Sequence, residues 1–464
     1  MFWKHFYLFF IALYSSTTIA QTKLASFFSD NMVLQQKELV AIWGEDMENT
    51  TIIVSGSWGK KTKVKTDKNG NWKVKIQTPS AGGPYTIKIN GSQVILLKNV
   101  LIGEVWVCSG QSNMQMKLKG NFNQPILGSQ ETILNSKNSQ LRMFNTKIKA
   151  SLTPLKNVIG KWEEASPKTS GNFSATAYYF GQKLQELLKV PVGLIHSSWG
   201  GSSAESWTDK EIISQFNSAK IPAIIPKKNK QKNPTLLYNG MLHPFIGYNI
   251  KGVIWYQGEA NRNRANEYEQ LISAMVSSWR SKWQNNFPFY FVQIAPFEYK
   301  NTNSAFLREA QLKTMFSLEN SGMAVTMDIG ECDNIHPSNK KLVGDRLAYW
   351  ALSKNYKIEG ISYSGPVYKK MQFKGLKAIL TFDYAKNGFS GFGKKIQGFE
   401  IAGEDKVFHE ALVKINRNKT ITVWSDNVLK PKAVRYAFKN CVLGTLYNTE
   451  GLPASSFRTD NWEK

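Results

Sequence analysis

Five short apolar runs in the middle of the chain constrain its fold more than any other feature. Each run lacks the alternation of a half-exposed strand, and each stops at small or polar residues; they span residues 104–108, 193–195, 252–255, 289–293 and 323–327. Two stretches have apolar residues at helical spacing, one at 174–189 between the first two runs and one at 340–353 after the last run. Continuous apolar strands alternating with helices are typical of a parallel sheet covered on both faces. The sequence therefore predicts a central α/β domain.

Both flanking regions have a different sequence pattern, in which short β-rich runs are separated by turn residues. In the N-terminal region, runs at 62–66 and 72–76 surround Lys68-Asn69-Gly70-Asn71, and runs at 85–89 and 94–97 surround Asn90-Gly91, so two hairpins are expected. In the C-terminal region, candidate strands lie at 378–382, 398–402, 420–424 and 434–438. We predict an N-terminal β-sandwich domain over 21–101, a central α/β domain over 102–357 and a C-terminal β-rich domain over 358–464.

The first twenty residues have the pattern of a secretory signal peptide. Lys4 precedes an apolar run at 6–14, and small or polar residues ending in Thr18-Ile19-Ala20 follow. The run is too short to span a bilayer, and no run of about 18 apolar residues occurs later. We expect a protein that is exported to the periplasm or secreted, with no membrane insertion.

The charge is strongly positive, with 59 Lys and Arg against 34 Asp and Glu, a net +25. Such a field attracts anions, but the lysines are interleaved with acids along the chain, which favours a solvated surface rather than a nucleic-acid partner. The densest basic stretch, 227–232, holds four lysines between two prolines and is expected to be a loop. Three cysteines allow at most one disulfide, and no His/Cys cluster has metal-ligand spacing.

Ligands bind beyond the carboxyl ends of parallel strands, so the residues after each run are the candidates for chemistry. The first run leads into Gly110-Gln111-Ser112, the setting of a nucleophile on a sharp turn. A serine nucleophile needs a positioned base, usually an imidazole oriented by a carboxylate. Of the five histidines, only His336 follows a predicted strand end with a carboxylate, Asp333, three residues before it. The other two in the central region, His196 and His243, are expected to be a packed and a turn histidine.

Several motifs together resemble a known family. They are GEVWVCSGQSNMQM, VGLIHSSWGGSSAESW, LLYNGMLHPF, GVIWYQGEAN, LREAQ and DNIHPSNK, followed by KGLKAIL, QGFEIAG and GLPASSFRTD. In this order they resemble the sialate O-acetylesterases of the SGNH-hydrolase superfamily, over nearly the whole chain after residue 20. The resemblance implies a flavodoxin-like parallel sheet flanked by N- and C-terminal all-β domains. It also implies removal of acetyl groups from sugars, without metal or organic cofactor.

Carried over to this sequence, the resemblance implies Ser112 as the nucleophile, His336 as the base and Asp333 as the acid that orients it. Several relatives place the acid two residues before the histidine, where this chain has Asn334. The orienting role therefore stays open between Asp333 and three alternatives: Asp328, Glu331 and a backbone carbonyl, the last leaving a Ser-His dyad.

The resemblance also implies an oxyanion hole formed by the Ser112 N–H, the N–H of Gly200 or Gly201, and the Gln257 amide. For the substrate, Trp199 is a candidate to stack on a sugar face, as is Trp207. A carboxylate on the sugar would suit a bidentate arginine, for which the candidates are Arg262, Arg264 and Arg308.

The sequence thus predicts a serine esterase that deacetylates carbohydrates, with O-acetylated sialic acid as the expected substrate. An acetylesterase of plant polysaccharides, acting on acetyl-xylan or acetyl-pectin, remains an alternative. A non-catalytic carbohydrate-binding protein is another alternative. A glycosidase using Glu205 and Glu259 is disfavoured, because paired carboxylates would not need Ser112 and His336 at strand ends.

Overall fold

The computed structural model describes residues 21–462, so the predicted signal peptide lies outside the described residues. The strands before the first long helix are β1 Lys23–Leu24, β2 Val33–Gln35, β3 Leu39–Glu45, β4 Thr51–Gly56, β5 Lys60–Lys65, β6 Asn71–Gln77, β7 Gly82–Asn90, β8 Val94–Gly110, β9 Asn138–Asn145 and β10 Trp162–Ala165. The later strands of the central region are β11 Val192–Ser198, β12 Gly252–Tyr256, β13 Phe289–Val292 and β14 Ser321–Ala324. The C-terminal strands are β15 Val367–Lys374, β16 Lys377–Asp383, β17 Phe389–Ser390, β18 Phe399–Ala402, β19 Phe408–Glu410, β20 Leu412–Ile415, β21 Ile421–Trp424, β22 Ala433–Tyr436, β23 Tyr447–Asn448 and β24 Phe457–Arg458. The α-helices are α1 Ser112–Gln115, α2 Ser129–Leu134, α3 Ala175–Leu188, α4 Lys210–Ile213, α5 Ala265–Trp283, α6 Ala305–Ser317 and α7 Lys340–Lys354.

A seven-strand sheet forms the centre of the molecule, in the order β10-β9-β11-β8-β12-β13-β14. All neighbours from β9 to β14 are parallel, and only β10 at the edge is antiparallel. The five apolar runs correspond to β8, β11, β12, β13 and β14, which confirms the predicted α/β fold. Strand β9, which the apolar runs did not reveal, extends the sheet beyond β11.

The two helices predicted from periodicity, α3 and α7, pack closely against each other and the sheet. The Ser174 side chain caps α3 by accepting a hydrogen bond from Ala177 N–H at 3.1 Å. Gly344 of α7 allows the close approach, because a Cβ there would lie 2.6 Å from the Cβ of Tyr179 and 2.7 Å from the backbone nitrogen of Phe180. Both helices are therefore confirmed.

The N-terminal region forms a three-stranded sheet, β1-β3-β6. Beside it, β2 and β7 pair with β8, β4 pairs with β7, and β5 pairs with β4. Strands β7 and β8 pair as the predicted hairpin. The other predicted hairpin is wrong, because β5 pairs with β4 while β6 pairs with β3 in the other sheet. The turn between them crosses from a largely exposed edge strand to one that buries Trp72, Val74 and Ile76.

Strand β8 is 17 residues long and runs from the N-terminal sheet into the central sheet without a break. The predicted domain boundary at residue 101 falls inside it, and the boundaries at 101 and 357 stay predictions. The C-terminal region forms two four-stranded sheets, β15-β16-β21-β20 and β19-β18-β22-β24, and the pair β17-β23. A disulfide between Cys332 and Cys441 ties this region to the central domain, and Cys108 is free and buried. Within residues 21–462, no helix is long and apolar enough to cross a bilayer.

Candidate active site

Three strands of the central sheet end together at the carboxyl edge. Gly110, the last residue of β8, pairs with Ser198 of β11 on one side and with Tyr256 of β12 on the other. Its φ is +139°, and a Cβ there would lie 2.2 Å from the Tyr256 carbonyl oxygen, so only glycine fits. The chain then turns sharply into α1, whose first residue is the half-buried Ser112. We call residues 110–113 the nucleophile turn.

A second segment, residues 331–337, carries His336 and is called the histidine loop. The side chain of Asn113 joins the two segments: its Nδ2 donates to the Ile335 carbonyl at 3.0 Å. The residue after Ser112 thus holds the residue before His336. The structure therefore places the segments that carry Ser112 and His336 next to each other.

His336 is half-buried, and its backbone N–H donates to Asn334 Oδ1 at 3.0 Å. Its Nδ1 is buried and has no hydrogen-bond partner among the described residues. Burial, with a contribution from the positive charge of Lys340, lowers the pKa of His336 to about 4. The imidazole is therefore neutral at pH 7 and able to accept a proton.

The structure does not support Asp333 as the orienting acid. Residues 331–334 form a tight turn closed by a hydrogen bond from Asn334 N–H to the Glu331 carbonyl at 3.2 Å. Asp333 lies at the tip of this turn and is exposed. It makes no hydrogen bond or ion pair with any described residue. The correction has a simple cause: a turn between the acid and the base points the acid into solvent.

The two other candidate acids are engaged elsewhere. Asp328 forms a bidentate ion pair with Arg346, at 2.7 and 2.6 Å. Glu331 accepts hydrogen bonds from the Ser338 N–H at 2.8 Å and from Asn334 Nδ2 at 3.0 Å. Partial burial would raise the pKa of Glu331, but these hydrogen bonds lower it on balance. Both acids therefore have hydrogen-bond partners other than the His336 ring.

The two glycines proposed for the oxyanion hole are not equivalent. Gly200 N–H donates to Gln115 Oε1 at 2.8 Å, whereas the N–H of Gly201 donates to no described residue. The loop passes close to the nucleophile, because a Cβ on Gly200 would lie 3.4 Å from the Cβ of Ser112. Gly201, with φ +70°, is therefore the glycine with a free N–H beside the nucleophile turn.

Gln257 is not placed as an oxyanion donor. Its side chain is fully buried, and Nε2 donates to the Ser202 carbonyl at 3.1 Å and to Asn261 Oδ1 at 2.7 Å. Both amide hydrogens are thus used, and the Tyr268 hydroxyl donates to its Oε1 at 3.1 Å. The amide fastens the loop after β12 to the loop after β11, and this replaces the predicted role.

A buried polar cluster behind the site was missed by the sequence analysis. Asn113 Nδ2 also donates to Glu259 Oε1 at 2.6 Å, and its Oδ1 accepts from Lys340 Nζ. Burial raises the pKa of Glu259, and burial lowers that of Lys340 to about 7 despite nearby carboxylates. Glu259 had a signal, since it follows the third apolar run, but it was weighed only as a glycosidase acid. No sequence pattern pointed to Lys340, the first residue of α7, as part of the site.

The predicted arginines differ in their placement. Arg308 is fully buried and donates to Ser304 Oγ, Ser456 Oγ and the carbonyls of Ala437 and Lys439, so it cannot reach a substrate. This corrects its predicted role: α6 turns it toward the C-terminal region.

Arg262 is half-buried; it donates to the Glu259 carbonyl at 2.9 Å and lies over the Tyr299 ring at 4.9 Å. Arg264 pairs with Glu205 at 2.6 Å. Trp207 is fully buried, which leaves Trp199, half-buried on the loop beside Ser112, as the tryptophan available to a sugar.

The two other histidines of the central region, His196 and His243, contact neighbouring parts of the fold. His196 is buried, with hydrogen bonds from its ring to Asn145 Oδ1 at 2.7 Å and Ser198 Oγ at 2.6 Å, and His243 contacts the Leu155 carbonyl at 3.0 Å. Over the described part of the chain, no three His, Cys, Asp or Glu side chains lie close enough together to hold a metal ion.

Residues 102–353 match the family described as carbohydrate esterase, sialic acid-specific acetylesterase. This span is more than half of the chain and contains the nucleophile turn and the histidine loop. The chain belongs to this family of carboxylic ester hydrolases, which confirms the resemblance noted in the sequence.

Particular relatives agree with the family assignment. A crystal structure of a carbohydrate acetylesterase from Xanthomonas citri is 37% identical, covers 95% of this chain and 100% of its own, and superposes with a TM-score of 0.88. Sialate O-acetylesterase of Homo sapiens is 28% identical over 78% of this chain and 76% of its own length. The protein of the same name from Pongo abelii is 29% identical over the same shares.

Proposed function

We infer that the chain is a serine esterase that removes O-acetyl groups from sialic acid, with Ser112 as nucleophile and His336 as base. The observation that carries this is the Asn113 side chain, which couples the segment of Ser112 to that of His336 through the 3.0 Å hydrogen bond to Ile335. Acyl transfer needs a nucleophile and a neutral base, and a serine at a strand end with a neutral imidazole on the adjoining segment supports this proposal.

In the first half of the reaction, Ser112 Oγ attacks the acetyl carbonyl while His336 accepts its proton. The tetrahedral intermediate collapses when the C–O bond to the sugar breaks, and the imidazolium gives that proton to the departing sugar oxygen. In the second half, His336 takes a proton from water, which attacks the acetyl group on Ser112. Acetate leaves, and the proton returns to Ser112 Oγ.

The oxyanion of each tetrahedral intermediate needs hydrogen-bond donors. The Ser112 N–H at the start of α1 and the free N–H of Gly201 are the donors that the geometry offers. Removing one such donor typically costs about 2.7–4 kcal/mol of transition-state stabilisation. Two donors suffice for this proposal, without Gln257.

The substrate and the location are proposed from the relatives and from the sequence. Sialate O-acetylesterase is the name of the curated relatives, and the net charge of +25 suits an acidic sugar. Because its first twenty residues have the pattern of a secretory signal peptide, we propose that the protein is exported.

The test of the mechanism is Ser112→Ala, with exposed Ser214→Ala as the matched control. Ser112→Ala should abolish hydrolysis of a chromogenic acetyl ester and labelling by a serine-reactive fluorophosphonate, while its unfolding transition stays that of the wild type. His336→Ala should be about as inactive, and the double variant no worse, because nucleophile and base act as one unit. A folded Ser112→Ala enzyme retaining more than about a hundredth of wild-type turnover would contradict the assignment.

The substrate is tested by acetate release from O-acetylated sialic acid, acetyl-xylan and acetyl-pectin at matched acetyl concentration. Sialic acid should be preferred, with an advantage that shrinks as salt rises. Preference for acetyl-xylan, insensitive to salt, would move the substrate to neutral plant polysaccharide and leave Ser112 and His336 in their roles.

A further inference from the structure

A cleft of about 530 Å³ lies beside the nucleophile turn and is lined by lysines. Its lining includes Lys149, Trp199, Lys227, Lys230 and Gln231, and we call it the lysine pocket. A volume of this size holds a sugar residue or two. The pocket combines an aromatic side chain with three cations.

The lysine pocket shares a wall with the active site. Trp199 is followed directly by Gly200, whose Cβ position lies 3.4 Å from the Cβ of Ser112. On the far side of this loop, a Cβ on Gly201 would lie 3.6 Å from Gln231 Nε2. The lysine-bearing segment is fixed there, since the Gln231 carbonyl accepts from Ser206 Oγ at 2.6 Å. A sugar with its acetyl group at Ser112 therefore has this pocket next to it.

The cations of the pocket are uncompensated. Lys149 and Lys227 are exposed and Lys230 is half-buried. None of the three pairs with a carboxylate in residues 21–462, and no described acid is among the lining residues. By contrast, the cleft beside Arg262 is also lined by Glu269 and Glu309, which offset its positive charge.

We propose that the lysine pocket binds the carboxylate of an acidic sugar whose acetyl group is presented to Ser112, while Trp199 packs against the sugar ring. The ligand class is an O-acetylated glycan bearing a carboxylate, from either a sialic acid or a uronic acid. This rests on the proposed function and replaces Arg262 and Arg308 as the carboxylate-binding residues.

The test compares the wild type with K149Q/K227Q/K230Q, and with K61Q/K63Q/K65Q as control. The control removes the same charge from the exposed face of strand β5 in the N-terminal region. The substrates are 4-nitrophenyl acetate, O-acetylated sialic acid, and the same sugar with its carboxylate converted to a primary amide. O-acetylated galacturonan provides the uronic acid arm.

We expect K149Q/K227Q/K230Q to raise KM for the acidic sugar about tenfold, as three exposed charge pairs of ordinary strength would. KM for the amide and turnover of 4-nitrophenyl acetate should not change, and the control should behave as the wild type. An acid-over-amide preference that survives in K149Q/K227Q/K230Q would overturn the proposal, as would a wild type that does not distinguish acid from amide.

Failure of the proposed function would give a different result from failure of the lysine-pocket proposal. A wild type that cannot hydrolyse 4-nitrophenyl acetate would contradict the esterase itself. If the acid preference appears only with galacturonan and is lost in K149Q/K227Q/K230Q, the lysine pocket is supported and the sialic acid assignment fails.

Discussion

The nucleophile turn and the histidine loop lie side by side but are held in different ways. The nucleophile turn continues the longest strand of the sheet, and Gln111 N–H donates to the Tyr256 carbonyl at 2.9 Å. Gln111 Oε1 in turn accepts from the N–H groups of Gly258 and Ala260. A backbone hydrogen bond to β12 and two hydrogen bonds between the Gln111 side chain and the segment after β12 therefore fix the position of Ser112.

The histidine loop contains no strand and depends on side chains and one covalent bond. Asn113 holds the Ile335 carbonyl, Glu331 holds Ser338, and Cys332 is bonded to Cys441. The central sheet thus positions Ser112, whereas a few long-range contacts position His336. Side-chain substitutions should therefore disturb His336 far more readily than Ser112.

Among substitutions that change how the histidine loop is held, Asn113→Ala should have the largest effect. It removes the link to Ile335 and leaves the buried Glu259 and Lys340 without their shared partner. A displacement of the base by about 1 Å costs about 100-fold in turnover, so we expect a fall in kcat of that order with a smaller change in KM. Steady-state kinetics below the unfolding transition, with Asn135→Ala as the control, measure it. Wild-type kcat in Asn113→Ala would show that the histidine loop keeps its place unaided.

A second prediction concerns pH and the charge behind His336. Its imidazole must be neutral to act as base, so kcat/KM should fall only as pH drops toward the His336 pKa of about 4. Burial is the main cause of that low pKa and the Lys340 charge the second. Lys340→Met removes the charge, so the pKa of His336 should rise and the acid limb should move to higher pH. Lys341→Met, next along α7, should leave the limb in place; an unmoved limb in Lys340→Met would exclude this coupling.

Sequence reasoning succeeded where position follows from local pattern and failed where it depends on distant partners. The apolar runs predicted the strands, and strand ends led to Ser112 and His336. Asp333 was chosen because it is near His336 in sequence, but the intervening turn points it outward. The resemblance implies Gln257 as an oxyanion donor, but its amide hydrogens bond the Ser202 carbonyl and Asn261 in the structure. Neither a turn's direction nor a hydrogen-bond partner from another loop can be read from spacing.

The disulfide provides a third test of how the histidine loop is held. A disulfide typically contributes about 2–4 kcal/mol to stability, so C332S/C441S should unfold at lower temperature. Its kcat should fall only several-fold, because Asn113 and Glu331 remain. Reductant should lower the unfolding temperature and kcat of the wild type to those of C332S/C441S. It should leave both quantities unchanged in C332S/C441S, which excludes an effect through Cys108. Equal kcat in all samples would show that the covalent bond adds nothing to the placement of His336.

The smallest effect is expected from Asp333→Asn. In a full triad this change would cost about 10⁴-fold in turnover, because the amide favours the wrong imidazole tautomer. The exposed Asp333 has no contact with His336 in the structure, so we expect a loss below about tenfold, or about 1.4 kcal/mol. Glu331→Gln is the informative partner, since Glu331 holds Ser338 and Asn334 within the histidine loop, and it should reduce kcat more than Asp333→Asn. The reverse order, with a loss near 10⁴-fold for Asp333→Asn, would mean that the histidine loop rearranges on binding substrate and completes a triad.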